Sequence, residues 1–393
     1  MRIDRVEAVS ITDTRGRATI ETTVFANTFS ATASVPSGKS TGKHEACELR
    51  DSDGSVTGAV ANINGEIARA LVGRRFQSLD ALDTFLIDLD GTPEKSRLGA
   101  NALLSVSIAA MRLSALLENT PLWSTIAKRA KTTPGTPRLY VNVMNGGAHA
   151  DFKLPFQEYI LVVEGKTALP IAQEMFVKLG ERLGRVPMGD EGGYAPTFDT
   201  LERPFELLSE LVKEFPNTGI ALDAAASELF HDDTYHLLGK PYTPEELSKL
   251  YEQLIAQFPI HSIEDPYDES AHLDFARLTE KVGGKVLIVG DDLTVTNPVR
   301  IKDAARNREI NSVLIKPNQI GTVSEALQAV QETLTAEFKA IASHRSGETK
   351  DTFIADFAYG IGAYGLKAGG FAQEERILKY NRLVAIEGEA GTV

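Results

Sequence analysis

An α/β fold in two parts is predicted by three features of the sequence. Apolar and polar residues alternate over the first 30 positions. A proline- and glycine-rich break follows at 131–138, and beyond it short apolar runs each end in a charged or polar residue. The first part, residues 1–130, reads as a small α+β domain; the second, residues 131–393, reads as a barrel of βα units.

RIDRVEAVSIT and ATIETTVFA alternate as the two half-buried strands of a hairpin would, with Asp13-Thr14-Arg15-Gly16 as the turn. From about residue 57 the period becomes helical, in AVANINGEIARALVG and in the alanine-rich stretch 98–118. KTTPGTPR, 131–138, is the linker. Then come TGIALDAA, PIHSIEDP, KVLIVGDD, NSVLIKPN and KAIASHRSGE, separated by amphipathic segments such as YTPEELSKLYEQLIAQF. Their terminal polar residues are Asp223, Glu264, Asp291, Lys316 and His344, with separations of 41, 27, 25 and 28 residues. Each separation fits one strand plus one helix. Successive units of this size close a parallel barrel, and residues at the C-terminal ends of its strands converge on one mouth.

Bulk properties narrow the function. A formal net charge of −13 argues against general nucleic-acid binding, which needs a basic face. The single cysteine, Cys47, excludes an internal disulfide and fits a reducing cytoplasm. No basic start leads into an apolar run, so no secretion signal is expected. The most apolar stretch, 102–117, contains Arg112 and reads as too short and interrupted to span a bilayer.

VPSGKSTGKHEA, residues 35–46, carries the tail of a phosphate-binding loop in Gly38-Lys39-Ser40-Thr41. The full pattern requires glycine where Ala33 stands and a helix where Gly42 interrupts. The nucleotide reading fails.

The converging residues point to metal-assisted acid–base chemistry. Asp223, Glu264 and Asp291 offer oxygen ligands that favour Mg²⁺, although strand-end carboxylates can also cap helices. Lys316 lies in an apolar run, VLIKPNQIG, and reads either as an ion pair with Glu264 or Asp291 or as a base kept neutral by desolvation and metal charge. Glu191 sits in the glycine-flanked loop MGDEGGYAP. His149 and His344 read as either core or site histidines, and Arg345 with Ser346 suits a bound phosphate or carboxylate.

These segments resemble the enolase family over nearly the whole chain. VPSGKSTGKHEACELRD, NVMNGGAHADFKLPFQEY, GDEGGYAP, ALDAAASE, SIEDPYDE, GDDLTVTNP, LIKPNQIGT, SHRSGETKDTFIAD and ERILKYNRL occur in the family's order. The resemblance implies a modified TIM-type ββαα(βα)6 barrel and reversible dehydration of 2-phospho-D-glycerate to phosphoenolpyruvate in glycolysis and gluconeogenesis. Carried over, Asp223, Glu264 and Asp291 are the metal ligands, Lys316 removes the C2 proton, and Glu191 assists departure of the C3 hydroxyl. Arg345 and Ser346 hold the phosphate and Lys367 faces the substrate. His149, Gln157, Glu158 and His344 fall on active-site positions. Ser40 belongs to a lid and reaches a second Mg²⁺ once substrate is bound. A cytoplasmic homo-oligomer without membrane or nucleic-acid partners is implied too.

The departures are few. The family pattern has alanine at Lys39, which therefore reads as an aid to phosphate binding or as a solvent-facing side chain. DTRGRATIE, VAIEGEA (with Ala385 and Gly388) and GGFAQEER differ near the usual dimer contacts and put that interface in question. Two rival readings are a relative acting on another 2-phospho or phosphono acid and a non-catalytic binding protein.

Overall fold

The computed structural model describes residues 1–39, 42–151 and 153–391. Strands β1 (Arg5–Thr12), β2 (Ala18–Ala26) and β3 (Phe29–Ser34) form an antiparallel sheet in that order. The β1–β2 turn is held by Asp13, whose carboxylate accepts the N–H groups of Arg15 and Arg17. The expected hairpin therefore gains a third strand. FSATAS escapes the alternation rule because its inward residues, Ala31 and Ala33, are small, while Phe29 points outward.

Helices follow at Thr57–Asn62, Leu79–Asp90, Ala100–Leu117 and Leu122–Ala130. By length and composition Ala100–Leu117 could cross a membrane, which corrects the reading of it as too short. Its burial identifies it otherwise: 83% of it lies inside the protein, where it packs on β2 and β3. It is a core helix.

The second part opens with β4 (Arg138–Asn145), β5 (Glu158–Val163) and β6 (Thr218–Asp223). A small sheet follows, made of β7 (Phe230–His231), β8 (Thr234–Leu237) and β9 (Lys240–Tyr242). Then come β10 (Ile260–Glu264), β11 (Leu287–Gly290), β12 (Ser312–Ile315), β13 (Lys339–Ser343) and β14 (Gly365–Lys367). The barrel closes in the order β10-β11-β12-β13-β14-β4-β5-β6. Strand β5 runs antiparallel to both β4 and β6, and the remaining pairs are parallel. The inversion has a simple cause. The 12-residue connection from β4 to β5 holds only the short turn Gly147–Ala150, not the crossover helix that a parallel return needs. The helices Ala168–Leu183 and Arg203–Val212 follow β5, so the ββαα opening is present.

Tyr140, Ile160, Val162, Ala221, Val289, Leu314 and Ile341 pack together as a buried apolar cluster contributed by barrel strands. The segment after β3 is fastened to the loop after β13. Ser37 and Gly347 exchange N–H···O bonds of 2.8 and 2.9 Å, and Ser37 Oγ donates to Asp13. A Cβ at Gly347 would lie 2.3 Å from Asp13 Oδ2, so glycine is what lets the two chains approach. Arg112 adds a two-pronged pair with Asp351 at 2.6 and 2.7 Å.

Candidate active site

The barrel topology brings the predicted residues together. Asp223, Glu264 and Lys367 end β6, β10 and β14, while Asp291, Lys316 and His344 directly follow β11, β12 and β13. Because β5 is inverted, its first residue, Glu158, sits at the same mouth, with Gln157 before it. His149 comes from the Gly147–Ala150 turn, and Glu191 from the loop that follows the helix Ala168–Leu183. All of these except Glu264 line one cavity with Arg345 and Ser346, and Glu264 reaches it through Lys367. Ser40 lies outside the described residues.

Lys367 organises the centre. Its ammonium donates to Asp223 (2.9 Å) and to both oxygens of Glu264 (3.0 and 2.9 Å), and lies 3.3 Å from Glu158. Burial alone would lower its pKa, but Asp223, Glu158 and Glu264 outweigh it and raise the value well above the ordinary range. Asp291 is engaged elsewhere: Lys316 Nζ donates to Oδ2 at 2.5 Å, and Gln319 Nε2 donates to Oδ1 at 2.9 Å. The expected trio of Asp223, Glu264 and Asp291 consequently does not close into one ligand set here. The groups whose ligand atoms lie within 4.8 Å of one another are His149–Glu158–Glu191 and Asp265–Asp291–Asp292. The second group is explained by Asp265, whose carboxylate accepts the N–H groups of Asp291 and Asp292 at 2.9 and 2.8 Å.

A divalent cation fits this chemistry. Burial, reinforced by Asp223, raises the Glu264 carboxyl well above the usual range against the pull of Lys367. Asp265 and Asp292 are raised in the same way, by burial and by their acidic neighbours. Raised carboxyls that repel one another among oxygen donors are stabilised by a hard cation. Gln157 Oε1 adds a buried acceptor with no partner.

On the other flank, Glu158 and Glu191 behave as a pair. Burial and the neighbouring Glu191 raise Glu158 well above the ordinary value. Burial also pushes Glu191 up, yet His149, His344 and Arg376 hold it well below. The two carboxyls therefore titrate as one coupled pair. Asn142 Nδ2 donates to Glu191 at 3.1 Å.

Lys316 pairs with Asp291; burial lowers its pKa, but Asp291 and Glu264 outweigh that and raise it. The two histidines differ. Neither ring nitrogen of buried His149 has a hydrogen-bond partner, its Nδ1 lies 3.6 Å from Glu191, and burial lowers its pKa against the pull of that carboxylate. Its free polar edge suits a bound ligand. His344 is satisfied: its Nδ1 contacts the Arg376 guanidinium, and its Nε2 lies 3.5 Å from Glu191. With Nδ1 accepting, the proton belongs on Nε2.

Arg376 was not legible as a site residue. It is fully buried and also donates to the carbonyls of Arg345, Ser346 and Asp190. It thus joins the loop of Glu191 to the loop of His344 and Arg345. Arg376→Lys should keep a positive charge but lose the planar fork. Turnover is expected to fall about 10- to 100-fold through misplacement of both loops. The His344 nitrogen resonances should also lose their Nε2–H signature. Unchanged resonances and rates would contradict this role.

Arg345, expected to hold phosphate, makes a two-pronged pair with Glu45 at 2.8 and 3.1 Å. Ser346 Oγ accepts the N–H of Lys39 at 2.9 Å. Glu45, Gln319 and Arg376 all lie inside quoted motifs. Only their spatial partners reveal what they do.

Comparison with known families agrees with this arrangement. Residues 3–126 match the model for the enolase N-terminal domain, and residues 135–393 match that for the enolase C-terminal TIM barrel domain. The chain is 40% identical to the enolase of Legionella pneumophila strain Corby over an alignment of 408 residues, covering 98% of this chain and 96% of the relative. The enolase of strain Paris matches to the same extent.

Proposed function

The chain belongs to the enolase family, and we propose that in it Lys316 acts as base and Glu191 as acid in the dehydration of 2-phospho-D-glycerate to phosphoenolpyruvate. The family activity, phosphopyruvate hydratase, is that of a lyase of glycolysis, and enolases depend on Mg²⁺. What carries the assignment is position around the barrel. Strands β12 and β5 lie four places apart in a ring of eight, so Lys316 and the Glu158–Glu191 pair face each other across Lys367.

Asp223, Glu264 and Asp291 would hold the metal, and a second ion would join with substrate at Ser40. Bound there, Mg²⁺ supplies stabilisation of the negative charge that builds on the substrate carboxylate. Lys316, released from Asp291, accepts the C2 proton and leaves an aci-carboxylate. The proton shared by Glu158 and Glu191 passes through Glu191 to the departing C3 hydroxyl, which leaves as water. His149 and Gln157 offer polar groups to the substrate, Arg345 and Ser346 hold the phosphate, and Lys367 stays a cation beside the reacting carboxylate. In this reading residues 1–130 form the domain carrying the lid, and residues 131–393 form the catalytic barrel. A cytoplasmic homo-oligomer is proposed with it.

Formation of phosphoenolpyruvate from 2-phosphoglycerate, followed in a coupled assay with and without Mg²⁺, tests the assignment. Turnover that chelation abolishes and Mg²⁺ restores is expected. Turnover of only another 2-phospho or phosphono acid would move the protein to a different substrate, and none at all would leave a binding protein.

A further inference from the structure

Lys39, though exposed, is engaged by neighbouring protein groups. Its ammonium donates to Asp190 Oδ2 at 2.6 Å and to the Ala148 carbonyl at 2.7 Å, while its own N–H donates to Ser346 Oγ at 2.9 Å. One residue therefore touches three segments: the loop after β13, the turn bearing His149, and the loop bearing Glu191. These last two are already joined, because the Asp190 N–H donates to the His149 carbonyl at 3.2 Å. From the inner side, the Asp190 carbonyl accepts from Gln373 and Arg376 at 3.1 and 3.2 Å. Asp190 is thus gripped from within by its backbone and from without by its side chain. Alanine at this position could supply only the N–H bond to Ser346.

We propose that Lys39 is a positioning residue, a latch that pins the Glu191 loop and the His149 turn to the segment entering from the N-terminal sheet. Its kinetic consequence rests on Glu191 being the acid, but its structural consequence does not. Both partners are about one-third exposed, with side-chain values of 34% each, so the pair is worth what a partly exposed ion pair is worth. Removing it should loosen the acid side of the site and leave Lys316, held by Asp291 across the barrel, undisturbed.

The test uses the full chain in four variants: Lys39→Ala, Asp190→Asn, the double substitution, and Lys39→Arg. Amide hydrogen exchange across 147–150 and 188–192 should quicken about two- to fivefold in Lys39→Ala. The double variant should be no faster than the faster single one, because both substitutions break the same link. Lys39→Arg should retain protection, and the difference between parent and Lys39→Ala should shrink at high salt. Dehydration by Lys39→Ala should show kcat lowered by a similar factor with KM little changed, while exchange of the C2 hydrogen with solvent continues at the parental rate. Unchanged amide exchange in Lys39→Ala, or additive effects in the double variant, would overturn the latch. A raised KM with parental kcat would overturn it too, by making Lys39 a phosphate contact. If the parent protein produced no phosphoenolpyruvate, the reaction assignment would fall, and the amide exchange would still decide the latch.

Discussion

Asp291→Asn is expected to weaken Mg²⁺ binding and to lower turnover by on the order of 10²-fold or more, the scale on which loss of a group stabilising developing charge is felt. The substitution is nearly isosteric, and Gln319 Nε2 can still donate to the retained oxygen, so the fold should survive. What disappears is one negative charge. The Asp291 carboxyl is held below its ordinary value. Burial pushes it up, but Lys316, Arg345 and Lys367 more than offset that. A carboxylate held ionised in a buried site is suited to a cation. Calorimetric titration with Mg²⁺ and a melting curve separate the two effects. Parental metal affinity in this variant, or full activity in excess chelator, would remove Asp291 from the metal site.

Lys316→Ala should abolish dehydration and also exchange of the C2 hydrogen with D₂O. Asp291 and Glu264 raise the pKa of Lys316 against the effect of burial. For it to accept a proton, Asp291 must first release it. The same 2.5 Å contact that fits a plain ion pair is therefore the inactive setting of the proposed base. Alanine leaves the Asp291 carboxylate buried beside Gln319 without its lysine partner, so some loss of stability is expected. Lys316→Arg retains the charge and cannot be deprotonated in a protein. It should fold like the parent and still fail to exchange. Exchange by either variant at the parental rate would place the base elsewhere.

Much of this arrangement was legible in the sequence, for a physical reason. A βα barrel repeats every 25 to 41 residues here, and its strands are read by their apolar runs, so the residue ending each run is fixed at the mouth. Asp223, Glu264, Asp291, Lys316 and His344 were found in that way. The inversion of β5 was not readable from run spacing. It depends on the absence of a helix between Asn145 and Glu158, and the resemblance alone supplied it. Strand β3 was missed because alanines and serines carry little periodic signal.

Charge pairing was the least legible layer. Nothing local marks Lys367 as the partner of Asp223 and Glu264, or Arg376 as the group that fixes His344, because those partners lie 144, 103 and 32 residues away. Burial and long-range pairing also push Glu158 up and hold Glu191 down. A single motif cannot encode that outcome.

The central claim is that proton removal and hydroxyl loss are separate tasks of two separate residues, Lys316 and Glu191. The most direct measurement is C2 hydrogen exchange with D₂O, read beside phosphoenolpyruvate formation, in Glu191→Gln. This variant retains Lys316, the carboxylates around Lys367 and the Arg345–Ser346 pair, but position 191 can no longer donate a proton. Dehydration should fall by about 10²–10⁴-fold while C2 exchange persists. If Glu191→Gln lost exchange while Lys316→Ala kept it, the two roles would be reversed and the account contradicted.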